Sequence, residues 1–307
     1  MPAIQLDSIS KSYGKVKALQ QVGFAVQDGE LFGLIGPDGA GKSTLFRILT
    51  TLLLADEGKA TVCGYDVVAK YREIRKIVGY MPGKFSLYQD LSVLENLQFF
   101  ATIFGTSMEA NNDLISDIYV QLEPFKDRPA GKLSGGMKQK LALCCAMIHK
   151  PSVLFLDEPT TGVDAVSRKE FWEMLKRLRD SGIAILVSTP YMDEASLCDR
   201  IALIQKGSIL SVDKPGALTA SFDKTVYAIT SQSAYPLLQC LRKLDLQGTV
   251  LPFGDSIHLA TGQDLDVDKL QESLGQEGFS KVSIQKIEPT VEDVFLALSS
   301  EEEIPAG

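Results

Sequence analysis

Residues 31–53 read LFGLIGPDGAGKSTLFRILTTLL. The apolar run 31–35 predicts a buried strand, and from Lys42 onward apolar residues recur at helical spacing. Between them, Gly36, Pro37, Asp38, Gly39, Ala40, Gly41, Lys42 and Ser43 fit the pattern G-x-x-x-x-G-K-[ST], and Thr44, which follows, is read with them as binding ATP. Glycines let successive backbone N–H groups turn inward around phosphate oxygens, and the N-terminus of the following helix adds partial positive charge. In this pattern the lysine reaches the outer phosphates and the Ser43 hydroxyl holds a magnesium ion. Asp38 is read as making a side-chain bond to the turn backbone.

A second segment completes the site. Residues 152–159 read SVLFLDEP, another apolar strand, here ending in Asp157 and Glu158. Acids at the carboxyl end of a parallel strand face the crevice where ligands bind in open α/β sheets. Asp157 is the expected magnesium ligand, and Glu158 the expected base for an attacking water.

Residues 132–145 read KLSGGMKQKLALCC. Ser134 is a predicted helix N-cap, and the Ser-Gly-Gly turn offers bare N–H groups to an anion. In this position, between a phosphate loop and an Asp-Glu strand end, LSGGMKQ closely resembles the signature of the ABC ATPases. The resemblance covers at least residues 3–215. It implies an α/β P-loop NTPase of ABC type over 1–218, with a helical subdomain at about 88–145, and ATP and Mg²⁺ as cofactors. It implies that Tyr13 stacks on adenine and that Ser134, Gly135, Gly136 and Gln139 face the ATP of a partner subunit. Asp164, in the loop TTGVDA, would contact that partner. With one phosphate loop and one signature, two copies or one copy plus a related ATPase subunit are implied, together with transmembrane permease subunits.

Two positions depart from the family pattern. In LVSTPYMDEA, residues 186–195, Pro190 stands where the family has a histidine that contacts the γ-phosphate. In VGYMPGKFSLYQDL, residues 78–91, Gly83 replaces the family's glutamine, and Gln89 lies too far on to be a simple substitute. Of the two histidines, His149 reads as a surface residue near a helix C-terminus, and His258 is far downstream. Slow or rewired hydrolysis and a regulatory half-site without hydrolysis both follow from these departures.

The composition of the 307 residues, 45% hydrophobic and 23% charged, is that of a globular protein, with one large and one small domain. The net charge of −8 argues against nucleic acid as the main partner. The five cysteines show no CxxC spacing, so neither a disulfide framework nor a zinc site is expected, and they read as small buried apolar residues. No stretch approaches the length of a membrane span and the N-terminus lacks a signal peptide, so a cytosolic protein is expected; the family resemblance implies a peripheral place on the cytoplasmic face of the plasma membrane, held there by a partner.

Residues 211–224 are rich in Pro, Gly and polar types and predict a linker, placed at 219–224 between the domains. From 225 to 300 the pattern alternates as β-α-β-β-α-β and then a closing helix, which predicts a small ferredoxin-like α+β domain before an acidic tail at 301–307. The end, EPTVEDVFLALSS, resembles ATPases that serve bacterial exporters. That resemblance implies export over import, with a non-transport ABC ATPase acting on nucleic acid as the rival class.

Overall fold

Buried Ile4 and Leu6 alternate with exposed Gln5 and Asp7 at the start of β1 (Ile4–Tyr13), which pairs antiparallel with β2 (Val16–Val26) through several register shifts. β3 (Leu31–Ile35) is different: all five residues are buried, the mark of a central strand covered on both faces. The phosphate loop leads into α1 (Lys42–Leu49), whose Leu45, Phe46, Ile48 and Leu49 are buried while Arg47 is exposed. Next come β4 (Glu57–Val62), β5 (Tyr65–Asp66), α2 (Tyr71–Ile77) and β6 (Val78–Met81). Three helices follow: α3 (Val93–Ile103), α4 (Asn112–Tyr119) and α5 (Gly135–Met147). Then β7 (Val153–Asp157), α6 (Ala165–Asp180), β8 (Ala184–Thr189), β9 (Arg200–Gln205) and β10 (Ser208–Asp213) close the first unit, Met1–Lys214. The computed structural model describes residues 1–301 apart from Glu109, Asn111, Asp245 and Ser280.

Six strands form one sheet in the order β10-β9-β3-β8-β7-β6, parallel from β9 to β6 with β10 antiparallel at the edge. A second sheet, β2-β1-β4-β5, is antiparallel. Side chains from both sheets and α1 share one core. Within it Phe46 meets Phe155 edge-on at 6.1 Å, and Phe24 stacks on Phe32 at 5.0 Å. The decisive feature for the site is that β8 lies between β3 and β7. The phosphate loop and the Asp157–Glu158 strand end, far apart in sequence, therefore open at the same edge of the sheet.

Helix α3 starts with a capping box. Ser92 Oγ accepts from Glu95 N, and the Glu95 carboxylate accepts from Ser92 N. Fully buried Asn96 donates to the carbonyls of Tyr88, Leu91 and Ser92, which fixes the loop that follows Gly83. Gln89 belongs to this loop, and its carbonyl accepts from Gly131 N.

The second unit starts at Pro215. The linker expected over 211–224 is not extended: β10 runs to Asp213, and α7 (Pro215–Ala220) follows. Proline suits the first helical position, where its missing N–H would have no partner in any case. The division at Lys214 also precedes the boundary expected at 218. Beyond it lie β11 (Thr225–Thr230), α8 (Ala234–Lys243), β12 (Gly248–Phe253), β13 (Ser256–Thr261), α9 (Val267–Gln276), β14 (Ser283–Ile287) and α10 (Val291–Glu301). The sheet order β12-β13-β11-β14, antiparallel throughout, is the ferredoxin-like arrangement. Leu237, Leu238, Leu241, Leu270 and Leu274 of α8 and α9 pack on Tyr227, Ile229, Ile257 and Leu259. Tail residues 302–307 lie outside the described residues.

Candidate nucleotide site

Two glycines make the phosphate loop possible. A β-carbon at Gly36 would collide with the carbonyl oxygen of Ile204, and one at Gly41 with that of Ala18. Gly41 also has φ +106°, a conformation other residues rarely adopt. The turn is held by Ala40 N donating to Pro37 O and by Gly36 N donating to Thr189 O at the end of β8. Pro37, Asp38 and Gly39 are exposed at the tip, and Gly36 and Ala40 are buried. Asp38 makes no side-chain turn bond among the described residues, contrary to expectation; its exposure leaves the carboxylate to water.

Lys42, 3% exposed, donates to the carbonyls of Gly36 at 2.7 Å and Pro37 at 2.9 Å. Its ammonium also lies 3.1 Å from Glu158 Oε1. Thus the two residues assigned separately from sequence, the phosphate-loop lysine and the acid after β7, are in direct contact. Ser43 and Thr44, half-buried, start α1 beside them.

Asp157 is 4% exposed and its Oδ1 accepts from Ser188 Oγ at 2.7 Å. Ser188 Oγ in turn accepts from Glu158 N at 3.0 Å. The backbone of Glu158 has φ +51°, in the left-handed region. Tyr80 on β6 stands near Asp157; burial first, and that carboxylate second, push its phenol up to about 12. Gly83 packs close to the strand end as well: a β-carbon there would lie 3.1 Å from Asp157 O. Pro190 directly follows β8.

The signature forms the N-terminus of α5. Ser134 Oγ accepts from Met137 N, and the Ser134 and Gly135 side of the turn is exposed. Gly136 is buried against α6, and Gln139 is half-buried. Asp164 caps α6, accepting from Val166 N and Ser167 N, bonds that hold its carboxyl below the usual range. Signature and Asp164 loop are neighbours: Gly135 lies near the Gly162 carbonyl, and Gly136 against Ser167. Lys138 also lies 5.5 Å over the Phe85 ring, which joins the Gly83 loop to the signature helix. Tyr13, 47% exposed, ends β1.

His149 is half-buried rather than freely exposed. It stacks on Phe104 at 3.7 Å, its Nε2 lies 3.1 Å from the Val78 carbonyl, and burial pushes its pKa down. Phe104, which caps the C-terminus of α3, supplies the covering ring, a long-range contact that reading α5 alone could not reveal. Of the cysteines, Cys144, Cys145 and Cys198 are buried, but Cys63 and Cys240 are only half-buried. Sequence reasoning also missed Ser188, the residue that joins Asp157 to Glu158. It stands in the quoted LVST, and its role depends on the β3-β8-β7 order.

The ABC transporter family profile matches residues 19–161. Along nearly its whole length, 98% of each chain, the protein is 36% identical over 304 residues to the Nod factor export ATP-binding protein I of Rhizobium sp. strain N33. The chain belongs to the ABC transporter ATPase family. It is also 39% identical over 277 residues to the probable multidrug ABC transporter ATP-binding protein YbhF of Escherichia coli K12. That match takes in 89% of this chain but spans only 47% of YbhF. Among solved structures, the dimeric post-hydrolysis state of an ATP-binding cassette bound to ADP and Pi superposes with a TM-score of 0.62 at 25% identity, over 69% of this chain and 98% of that one. ABC cassettes of this family dimerise and work with transmembrane subunits. Among the described residues, no helix is long and apolar enough to cross a membrane.

Proposed function

We propose that this chain is the ATP-hydrolysing subunit that drives a separate membrane exporter. The observation that carries the reading is the convergence of Lys42, Asp157 and Glu158 at the phosphate turn, with Lys42 and Glu158 3.1 Å apart. Gly36 to Thr44 would wrap the phosphates, and Tyr13 would stack on adenine. Ser134, Gly135, Gly136 and Gln139 of a second copy or related subunit would cover the same nucleotide, with Asp164 at that contact.

The donor set suits magnesium. Asp157 and Ser43 offer hard oxygen ligands, and no cluster of three or more His, Cys, Asp or Glu among the described residues is placed to hold a metal alone. A magnesium ion here would be shared between these two residues and the nucleotide, and would neutralise phosphate charge. Glu158 would take the proton from the attacking water.

Export rests on kinship with a protein named for Nod factor export, and a place on the cytoplasmic face of the membrane rests on the need to reach a transmembrane partner and ATP together. An apolar groove of about 820 Å³ beside the Gly83 loop, lined by Met81, Phe100, Ile103, Phe104 and Cys145, supports docking of a membrane partner. Gly83 and Pro190 leave the site without two polar groups. Each such group is typically worth about 10²–10³ in rate, and the two are not multiplicative. Intrinsic turnover is therefore slow; the second reading, a regulatory subunit that binds without hydrolysing, rests on the same two positions.

Hydrolysis of Mg-ATP by the full chain tests the assignment. Glu158→Gln should lower turnover by at least about 10² while nucleotide still binds. Unchanged turnover in that variant would overturn the role of Glu158.

A further inference from the structure

Glu194 lies on the turn after Pro190 and is 1% exposed, yet it belongs to no motif that carries the proposed chemistry. Its Oε1 accepts from Thr160 Oγ1 at 2.8 Å and its Oε2 from Thr189 Oγ1 at 2.5 Å. Arg168 Nε of α6 stands 3.8 Å from Oε1, and Arg168 also reaches Asp193 and lies over the Tyr191 ring. Thr189 Oγ1 in turn accepts from Tyr191 N. Thr160 is 2% exposed and Thr189 fully buried, so water competes for neither of the two threonine–Glu194 bonds.

These contacts bracket Glu158. On one side, Ser188 binds both the Asp157 carboxylate and the Glu158 N–H. On the other, Thr160, two residues past Glu158, is anchored through Glu194 to Thr189, the residue after Ser188. The segment from Asp157 to Thr160 is thus tied to the end of β8 at both ends, and between the ties Glu158 holds φ +51°. A non-glycine residue keeps such a conformation only where its surroundings over-determine it. Without the second tie, the turn is free to relax toward an ordinary conformation and swing the carboxylate away from Lys42.

We propose that Glu194 is a positioning residue for hydrolysis: by clamping Thr160 to Thr189 it fixes the left-handed turn that aims Glu158 at the nucleotide. The clamp stands beside Pro190, at the position that lacks the family histidine, so the aim of Glu158 depends on a carboxylate from the following turn. The proposal rests on the reading of Glu158 as the base.

Single-turnover hydrolysis, with the full chain in excess over Mg-ATP, tests it alongside equilibrium nucleotide binding and thermal unfolding. Thr160→Val removes one arm of the clamp at constant shape, and Glu194→Gln alters both arms. Each should slow hydrolysis by about tenfold or more with the dissociation constant for Mg-ATP within twofold of wild type. Thr160→Ser, which keeps the hydroxyl, should restore most of the rate. In a Glu158→Gln background, adding Thr160→Val should cost nothing further. Rates within twofold of wild type for both clamp variants would overturn the proposal. So would a parallel loss of affinity, unfolding temperature and rate, or no rescue by serine. Should Glu158→Gln itself leave hydrolysis intact, the reading of Glu158 fails first, which separates that failure from a failure of the clamp alone.

Discussion

At the residue scale, the proposed slow hydrolysis turns on Gly83 and Pro190. A glutamine at 83 has an allowed backbone, but its β-carbon would meet the Asp157 carbonyl at 3.1 Å, so the strand end must give by a few tenths of an ångström. Pro190 follows the last residue of β8, whose hydrogen bonds do not need its N–H. The double variant Gly83→Gln with Pro190→His should therefore fold and raise ATP turnover by about tenfold or more. A folded double variant with unchanged turnover contradicts this account of slow hydrolysis. His149 supplies a pH test. Burial lowers its pKa below the ordinary 6.5, while the Val78 contact works the other way. Between the folded and unfolded values the unfolded chain binds more protons, so this residue makes stability fall as pH drops through and below 6.5. His149→Phe should lose less unfolding temperature than wild type between about pH 7 and pH 5; an equal loss contradicts it. The phosphate loop, Asp157 and Glu158 were legible because their signals are local: a strand, a turn and an acid pair. His149, Thr160 and Glu194 were not, because their partners come from other elements.

At the scale of elements, the N-terminus of α5 meets that of α6. Gly136 is needed there for space: a β-carbon would lie 2.5 Å from Ser167 Oγ and 2.7 Å from its Cβ. Gly136→Ala should destabilise the fold by about 1–3 kcal/mol through overpacking, despite the better helix propensity of alanine, and Ser167→Gly should recover part of the loss. Chemical denaturation measures both; a Gly136→Ala variant more stable than wild type would mean that the two helices separate freely. The Ser134 N-cap of α5 is legible in the sequence, since a Ser before a helical pattern is a local signal. That Asp164 caps α6 beside the signature is not, because only the packing brings the two turns together. The short helix at Pro215–Ala220 falls within the Pro- and Gly-rich stretch 211–224, and Pro and Gly punctuate loops as often as they start helices.

For the whole molecule, strand order does what motif reading cannot. Placing β8 between β3 and β7 unites the halves of the site and supplies Ser188 and Thr189 as the bridge. The second unit was legible as β-α-β-β-α-β because each strand and helix is short, periodic and bounded by turns. Its tie between sheet and last helix was not: His258 Nδ1 meets Asp293 Oδ1 at 2.7 Å, and Asp293 also accepts from Thr290 N and Oγ1. The account as a whole depends on a magnesium nucleotide held by the turn that ends in Lys42. Equilibrium titration of the full chain with Mg-ATP, wild type against Lys42→Ala, tests this most directly. A charge-assisted contact of about 1.5–3 kcal/mol corresponds to about a 10- to 150-fold loss of affinity in the variant. Equal affinity in the two proteins, or no affinity in the wild type, would contradict it.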